Sequence, residues 1–286
     1  MEKRDIFLYG TSAFTASTLM VLLYRYLNRR RKNVYETRKL VNSYLMFHYG
    51  NPSEVLAFDF GPKDAIDFPV RCAEMCTMYL EKDIPSTAID IGCAVGRSTF
   101  ELARHCQDVV GIDYSKMFID SCNDLKMYGK LHYQVTTEGC LYSEHDAIVD
   151  ESIDRRRVSF LCGDACNLPS DLGQFGCVLA ANLICRLQNP YSFLERLPSL
   201  VVPGGIVVLT CPFTWLKEFT PKALWLGGYK DSSGNPVNSF DTIKRYLERD
   251  FELLETKDMP FFIRETARKN QWSVAQTSIW KRHKAL

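Results

Sequence analysis

The sequence lacks an excess of charge of either sign. Its 35 lysine and arginine residues balance 34 aspartate and glutamate residues, which leaves a formal net charge of +1. Proteins that bind nucleic acid usually carry a strong or clustered positive charge that neutralises the phosphate backbone. We therefore expect no nucleic-acid partner.

Cysteine pairs at zinc-finger spacing are also missing. The chain contains 11 cysteines, but no two are separated by only two residues. Cys72 and Cys76 form a pair four residues apart, as do Cys162 and Cys166, and neither pair has a partner pair that would complete a tetrahedral site. Most other cysteines stand in apolar runs, where cysteine behaves as a small hydrophobic residue. We expect no metal site, and reduced thiols indicate a reducing compartment such as the cytosol.

Charged side chains are absent from residues 6–24, whereas five of residues 25–32 are arginine or lysine. A helix of this length would span about 28 Å, close to the hydrocarbon thickness of a bilayer. Because the basic cluster follows the apolar stretch, the rest of the chain would remain in the cytosol. We predict that residues 1–33 form an apolar leader helix with a basic linker, anchored in a membrane. A leader outside the membrane, in a cytoplasmic protein, is the alternative.

Residues 34–286 predict one α/β domain. Short apolar strands alternate with helical stretches, which is typical of a mostly parallel sheet with helices on both faces. Seven strands are predicted, over residues 87–91, 109–113, 158–164, 177–182, 205–211, 251–255 and 272–280. Two connections are longer than this fold requires, and we expect a hairpin within 131–157 and a segment covering a substrate within 212–238.

A glycine-containing turn follows the first predicted strand, where residues 90–96 have the sequence DIGCAVG. Glycines at its two ends permit a tight turn and a close approach of the backbone to a ligand. Free N–H groups at the start of the next helix suit a polar ligand group. The candidate binding residues in this turn are Asp90, Gly92, Cys93, Ala94 and Gly96. A turn with a purely structural role is the alternative.

The second predicted strand ends in an acidic residue, Asp113, 21 positions after Gly92. An acid at this place accepts hydrogen bonds from two ribose hydroxyls in nucleotide-binding α/β folds. It also suits the N-terminus of the helix that follows, and both roles are compatible. Tyr114 and Ser115 complete this second candidate loop.

Gly163, Asp164 and Ala165 end the third predicted strand. A carboxylate there can accept a hydrogen bond from the exocyclic amino group of adenine, and a neighbouring backbone N–H can donate to a ring nitrogen. The three loops lie at one edge of the sheet and together predict a nucleoside-binding site. The first loop lacks the full GxGxxG pattern of dinucleotide-binding folds, which favours a ligand shorter than a dinucleotide.

The segments DIGCAVG, GID and GDA resemble the class I S-adenosylmethionine-dependent methyltransferases. The resemblance implies a Rossmann-like fold, S-adenosylmethionine as the cofactor, and methyl transfer as the reaction. In that family the first loop has a third, central glycine, which this sequence replaces.

A narrower resemblance covers residues 34–282. The segments GCAVGRSTFELAR, AANLICRL, TCPFTWL and PFFIRETARKNQWSVAQTSIW are similar to the 4-mercaptohistidine N1-methyltransferase family, which includes the C-terminal domain of the enzyme that makes ovothiol. The resemblance implies N1-methylation of 5-thiohistidine. The sulfoxide-synthase part of that bifunctional enzyme has no counterpart in the sequence, so 5-thiohistidine would come from another protein, or the acceptor is a related imidazole.

Four side chains are candidates for binding a small amino-acid acceptor. Asn182 and Arg186 follow the fourth predicted strand, in a loop that faces the methyl group in this fold. Arg264 and Glu265 lie in a polar segment near the C-terminus and suit the carboxylate and the ammonium of an amino acid. A helix cap for Asn182, and surface charges or internal salt bridges for the others, are the alternatives.

Aromatic and imidazole side chains are further candidates. Tyr44 and His48 share one face of a helix predicted over residues 34–50, which covers the cofactor in this fold class. Three tryptophans would suit the wall of a pocket that holds a sulfonium cation: Trp215, Trp225 and Trp272. Packing in the core is the alternative for each of these side chains.

Two other functions fit the same residues. A different thiol, another histidine derivative or a protein side chain could accept the methyl group in place of 5-thiohistidine. A membrane-tethered binding protein without turnover is the alternative of a different class. The three loops retain an acidic and glycine set that favours an enzyme over that alternative: Asp90, Gly92, Gly96, Asp113 and Asp164.

Overall fold

The computed structural model describes residues 35–284. The predicted leader and its membrane anchor, residues 1–33, lie outside the described residues. Within the described part of the chain, no helix has both the length and the apolar character needed to cross a membrane.

The described residues contain eleven strands. In chain order they are β1 (Thr87–Ile91), β2 (Asp108–Asp113), β3 (Lys130–Glu138), β4 (Leu141–Ile148), β5 (Val158–Cys162), β6 (Phe175–Ala181), β7 (Val201–Cys211), β8 (Tyr229–Lys230), β9 (Pro236–Val237), β10 (Phe251–Arg264) and β11 (Asn270–Arg282). Seven of them form the main sheet, in the order β10-β11-β7-β6-β1-β2-β5. The five strands from β7 to β5 are parallel. Strand β11 is antiparallel to both of its neighbours, β7 and β10, so β10 runs in the same direction as the five. The prediction of a mostly parallel, seven-stranded sheet is confirmed.

The described residues also contain seven α-helices. In chain order they are α1 (Arg38–Tyr49), α2 (Pro52–Val55), α3 (Phe68–Met78), α4 (Arg97–Leu102), α5 (Lys116–Tyr128), α6 (Pro190–Leu200) and α7 (Ser239–Leu247). Helices α1, α3, α4 and α5 bury apolar side chains in one core cluster, and α6 and α7 bury theirs in a second. Four 3-10 helices lie over Lys63–Ala65, Arg155–Arg157, Ile184–Arg186 and Lys222–Leu224.

The central strand β6 shows why helices occupy both faces of the sheet. Its Cys177 and Leu179 belong to the first core cluster, whereas Val178 and Ala180 belong to the second. All four side chains are fully buried. Since successive side chains of a strand point to opposite faces, a continuous apolar run requires a cover on each side.

The two long connections differ in structure. Strands β3 and β4 form the hairpin predicted within 131–157, and Tyr133, Val135 and Ala147 bury one face of it in the first core cluster beside α1. Residues 212–238 contain a 3-10 helix and the short β8–β9 hairpin.

The C-terminal hairpin is longer than predicted. The strand expected over residues 251–255 continues to Arg264, and β11 pairs with it along almost its whole length. The added residues pack on the helices of the first core cluster, since the Phe261 ring lies 5.1 Å from Phe68 and 6.3 Å from Phe47. The segment PFFIR is therefore a strand that supports α1 and α3.

The contact between β6 and the entry to β1 leaves no room for a side chain at Gly176. A methyl group there would overlap the carbonyl oxygen of Pro85, and Gly176 N also donates to Thr87 Oγ1 at 3.1 Å. We expect Gly176→Ala to lower the free energy of unfolding in urea by about 3 kcal/mol, because the backbone of β1 has to move.

Gly173→Ala is the matched control for this substitution. A methyl group at Gly173 has no neighbour within 4 Å, and only its φ of 81° opposes it, at a cost of about 1 kcal/mol. Equal losses of stability in the two variants would contradict the packing at Gly176.

Candidate active site

The turn between β1 and α4 holds three residues in the left-handed region. Gly92, Ala94 and Gly96 have φ values of 81°, 48° and 83°. Ala94 is the residue that replaces the central glycine, and it keeps the backbone conformation that glycine adopts most easily. Ala94 therefore holds a left-handed conformation at a cost in backbone strain, which other contacts must offset.

Hydrogen bonds to Asp113 offset that strain. Ala94 N donates to Asp113 Oδ2 at 3.0 Å, and Ser115 N donates to Oδ1 at 2.8 Å. Burial raises the pKa of Asp113 to about 6, and the two backbone donors oppose that rise. Each oxygen of an ionised carboxylate has a second lone pair. Asp113 can therefore hold the two loops and still accept from two ribose hydroxyls.

The third loop adds a second carboxylate at the same edge. Gly163 N donates to the carbonyl oxygen of Asp113 at 2.9 Å, and Cys166 N donates to Asp164 Oδ1 at 2.8 Å. The remaining oxygen of Asp164 is available for an exocyclic amino group. Ala165 is buried beside it, whereas Tyr114 is 66% exposed.

Two buried polar atoms near the first loop have no hydrogen-bond partner among the described residues. They are Asp90 Oδ1 and His48 Nδ1. Thr99 Oγ1 donates to the other oxygen of Asp90 at 2.7 Å. Burial raises the pKa of Asp90 to about 7, the Thr99 hydrogen bond lowers it, and the charge of Asp113 raises it. Orphaned polar atoms are uncommon in native proteins and fit a site that receives the polar groups of a ligand.

Helix α1 lies on the first loop. Tyr49 donates its hydroxyl to Val95 O at 2.9 Å, and Arg97 Nη1 donates to His48 O at 3.3 Å. Tyr44 packs its ring 4.9 Å from Phe118 at the start of α5. The prediction that this helix covers the nucleoside-binding loops agrees with these contacts.

Asn182 adopts a left-handed conformation where β6 ends. Its φ is 52°, and its N–H donates to Thr210 O at 2.9 Å. Thr210 donates its hydroxyl to Asn182 Oδ1 at 3.0 Å. Since Oδ1 is held on β7, the amide group has a fixed orientation, and its Nδ2 has no partner within residues 35–284.

Arg186 supplies positive charge next to Asn182. Its Nη1 donates to Thr214 O at 2.7 Å, its Nη2 donates to Thr214 Oγ1 at 3.1 Å, and its guanidinium lies 4.9 Å from the centre of the Phe219 ring. A hydrogen bond from Cys211 and the charge of Arg186 lower the pKa of Cys185 to about 6. The loop after β6 thus places a guanidinium, a thiol of lowered pKa and an amide at one end of the site.

Tyr35 lies between Arg186 and α1, and no motif in the sequence marks it as a site residue. Burial raises the pKa of Tyr35, and a hydrogen bond with Arg186 lowers it. Its ring lies 6.1 Å from Tyr44 and 6.1 Å from Phe219. Tyr35 is far from Arg186 in the sequence and no motif surrounds it. The contact between the two residues could therefore not be predicted from the sequence.

Arg264 and Glu265 are not brought to Asn182 and Arg186. Arg264 is buried, and its guanidinium donates to the carbonyl oxygens of Glu54 and Thr266. Glu265 pairs with Lys269 at 2.6 Å in the turn between β10 and β11. The hydrogen bonds of both side chains are made within this hairpin and to α2, and their binding of an acceptor stays a prediction.

The tryptophans also have structural contacts. Trp215 stacks on Trp225 with ring centres 6.2 Å apart and donates its indole N–H to Ser239 Oγ at 2.8 Å. Trp272 is 58% exposed and pairs with Phe262 in the C-terminal hairpin. Trp272 therefore does not wall the site as expected.

Comparison with known families supplies the class of reaction. Residues 89–209, which run from β1 into β7 and include all three cofactor loops, match the family model described as a methyltransferase domain. The protein is an S-adenosylmethionine-dependent methyltransferase. The methyltransferase has the Rossmann-like class I fold that its sequence predicts, with S-adenosylmethionine as the cofactor.

Several solved structures are similar to the methyltransferase. The N-methyltransferase NodS from Bradyrhizobium japonicum WM9, in complex with S-adenosyl-L-homocysteine, is 15% identical; the match covers 85% of this chain and 98% of NodS, with a TM-score of 0.45. The YcgJ protein from Bacillus subtilis is 11% identical; the match covers 76% of this chain and 99% of YcgJ, with a TM-score of 0.49. No curated protein sequence matches the methyltransferase.

Cofactor affinity should depend on the ionisation of Asp113. Because the pKa of this carboxyl is raised to about 6, affinity for S-adenosylhomocysteine should fall as the pH drops below 6 and the carboxylate loses acceptor capacity. Asp113→Asn should weaken binding about tenfold or more at pH 7.5, since hydrogen bonds to charged groups contribute about 1.5–3 kcal/mol each. Titration calorimetry between pH 5 and 8 measures both effects.

Asp154→Asn serves as the control for this pH dependence. Asp154 lies at the Arg155–Arg157 helix, where a hydrogen bond from Arg156 lowers its pKa to about 2. This variant should bind S-adenosylhomocysteine like the parent protein at every pH. A decline below pH 6 that persists in Asp113→Asn would show that another group is responsible.

Proposed function

We propose that the methyltransferase transfers the methyl group of S-adenosylmethionine to N1 of 5-thiohistidine. The observation that carries the proposal is a fixed amide and a fixed guanidinium in the loop that follows β6, those of Asn182 and Arg186. The resemblance of residues 34–282 to the 4-mercaptohistidine N1-methyltransferase family supports the same acceptor.

The chemistry makes modest demands on the protein. Bound S-adenosylmethionine supplies an electrophilic methyl group on a sulfonium centre, and the acceptor supplies the lone pair of an unprotonated ring nitrogen. Most of the acceleration can then come from proximity and orientation. Asn182 provides orientation because Thr210 fixes its Oδ1, which leaves Nδ2 to donate to the acceptor. A strong general base is unnecessary, because the ring proton can leave after methyl transfer.

Arg186 is the residue that we assign to the carboxylate of the acceptor. Hydrogen bonds to Thr214 and the face of Phe219 hold its guanidinium in place, so little side-chain freedom remains to be lost on binding. Ion pairs between a guanidinium and a carboxylate are among the stronger polar contacts in proteins. The sequence suggested this role for Arg186 as well as for Arg264.

Aromatic rings next to Arg186 suit a flat imidazole. Tyr35 lies 5.9 Å from Phe118 and 6.1 Å from both Tyr44 and Phe219, measured between ring centres. Small-molecule sites usually combine such apolar walls with a few fixed polar groups. An amino acid with an imidazole side chain would place its flat ring against the aromatic side chains and its carboxylate against Arg186.

The acceptor is tested with purified protein, labelled S-adenosylmethionine and a set of imidazoles and thiols. We expect 5-thiohistidine to be methylated on N1 and histidine to be a far poorer acceptor. Arg186→Gln should raise the KM for 5-thiohistidine at least about tenfold while the affinity for S-adenosylhomocysteine stays within about twofold, because the lost ion pair contacts only the acceptor.

Arg249→Gln is the matched control, since Arg249 also lies 4.9 Å from an aromatic ring, that of Tyr246, but on a surface helix end. Its kinetic constants should equal those of the parent protein. A product methylated on sulfur, identified by fragmentation, would refute the N1 assignment. Absence of turnover with 5-thiohistidine, while the cofactor binds normally, would refute the acceptor.

We also propose that residues 6–24 anchor the methyltransferase in a membrane, with the catalytic domain in the cytosol. The support is the uncharged run followed by the basic cluster at 25–32. A soluble reporter fused to residues 1–33 should sediment with membranes and remain there in high salt, because apolar insertion is not screened by ions. Release by salt would indicate electrostatic attachment only, and a freely soluble reporter would refute the anchor.

A further inference from the structure

We infer that His48 binds the carboxylate of the cofactor's amino-acid end through Nδ1. This inference rests on S-adenosylmethionine as the cofactor and is independent of the proposed acceptor. The assignment follows from the position of the ring, its orphaned nitrogen and the sign of the charge beside it.

His48 lies where α1 meets the first cofactor loop. Its backbone oxygen accepts a hydrogen bond from Arg97, the first residue of α4. The next residue, Tyr49, donates to Val95 O in the same loop. On the other side, the His48 ring lies 5.9 Å from Tyr44. The imidazole is thus held between two tyrosines whose contacts fix α1 on the loops.

The Nδ1 atom of His48 is buried and has no hydrogen-bond partner among the described residues. A buried nitrogen without a partner is unfavourable, and most such atoms in proteins are paired with a neighbour, a water or a ligand. Burial and the charge of Arg97 lower the pKa of His48 to about 3. The ring is therefore neutral at physiological pH, and one of its two nitrogens carries a proton.

The neighbouring charge selects the group that this nitrogen binds. S-adenosylmethionine ends in an ammonium and a carboxylate, and either could pair with one nitrogen of a neutral imidazole. Arg97 stacks on Tyr49 with its guanidinium 5.5 Å from the ring centre and pairs with Glu101 at 2.8 Å; of these two charges it is that of Arg97 that acts on His48. A cation beside His48 repels an ammonium and attracts a carboxylate. We therefore assign the proton to Nδ1, as the donor to the carboxylate.

Ligands that differ in one group test this assignment without catalysis. S-adenosylmethionine carries the ammonium, the carboxylate and the sulfonium; its decarboxylated form lacks only the carboxylate, and 5′-methylthioadenosine lacks all three charges. Titration calorimetry with His48→Ala should show an affinity for S-adenosylmethionine lowered about tenfold, the size expected for one hydrogen bond to a charged group. The affinities for the other two ligands should remain within about twofold.

Two further variants locate the nitrogen. Asn places an amide donor near the position of Nδ1, whereas Gln places it near that of Nε2, so His48→Asn should keep the affinity for S-adenosylmethionine and His48→Gln should lose it. His105→Ala, which removes an exposed histidine, is the control and should change none of the affinities. Thermal unfolding of each variant verifies that the fold is intact.

Three outcomes would overturn the assignment. If His48→Ala lost the same affinity for S-adenosylmethionine and for its decarboxylated form, His48 would contact the ammonium. Equal losses for all three ligands would mean that His48 only supports the packing of α1. Unchanged affinities in His48→Ala would mean that the ring does not contact the cofactor. Because no acceptor is present, none of these outcomes depends on the identity of the methylated substrate.

Discussion

The carboxylate of Asp113 accepts one N–H from each of two loops, and the geometry of the cofactor site depends on this contact. Without the bond from Ala94, an alanine would have to hold a left-handed turn unaided. Without the bond from Ser115, the start of α5 would lose its link to the end of β2. The same side chain thus stabilises the turn that departs from the family pattern and offers lone pairs to the ribose.

The two ends of the site are held by different elements of the fold. Helix α1 rests on the first loop through Tyr49 and Arg97. The long β10–β11 hairpin and the β3–β4 hairpin in turn pack on α1. The end of the site that we propose for the acceptor is held differently, by the pairing of Asn182 with Thr210 on β7. Changes to the acceptor end can therefore leave the cofactor end intact, which suits a fold that serves many acceptors.

Local patterns were sufficient to predict the seven strands, the three loops and the covering helix, because each depends on residues close together in the chain. The end of β10 was not predictable in this way. Pro260 interrupts the apolar alternation and argues against a central strand, but β10 is an edge strand and tolerates a missing N–H. The contact of Arg264 was unpredictable for a related reason, since only the folded chain brings the Glu54 carbonyl oxygen to its guanidinium. The contact between Tyr35 and Arg186 is likewise purely tertiary.

Tyr35 connects the start of the described residues to the site that we propose for the acceptor. Its ring is part of the aromatic wall beside Arg186, and Ser115 donates a hydrogen bond to its backbone oxygen. Only two residues separate it from the first residue of α1. Because so few residues separate Tyr35 from α1, a force applied to the chain before Tyr35 would act directly on the aromatic rings beside Arg186. Attaching that end to a surface or to a bulky partner would therefore change the proposed acceptor site before it changed the hydrophobic core.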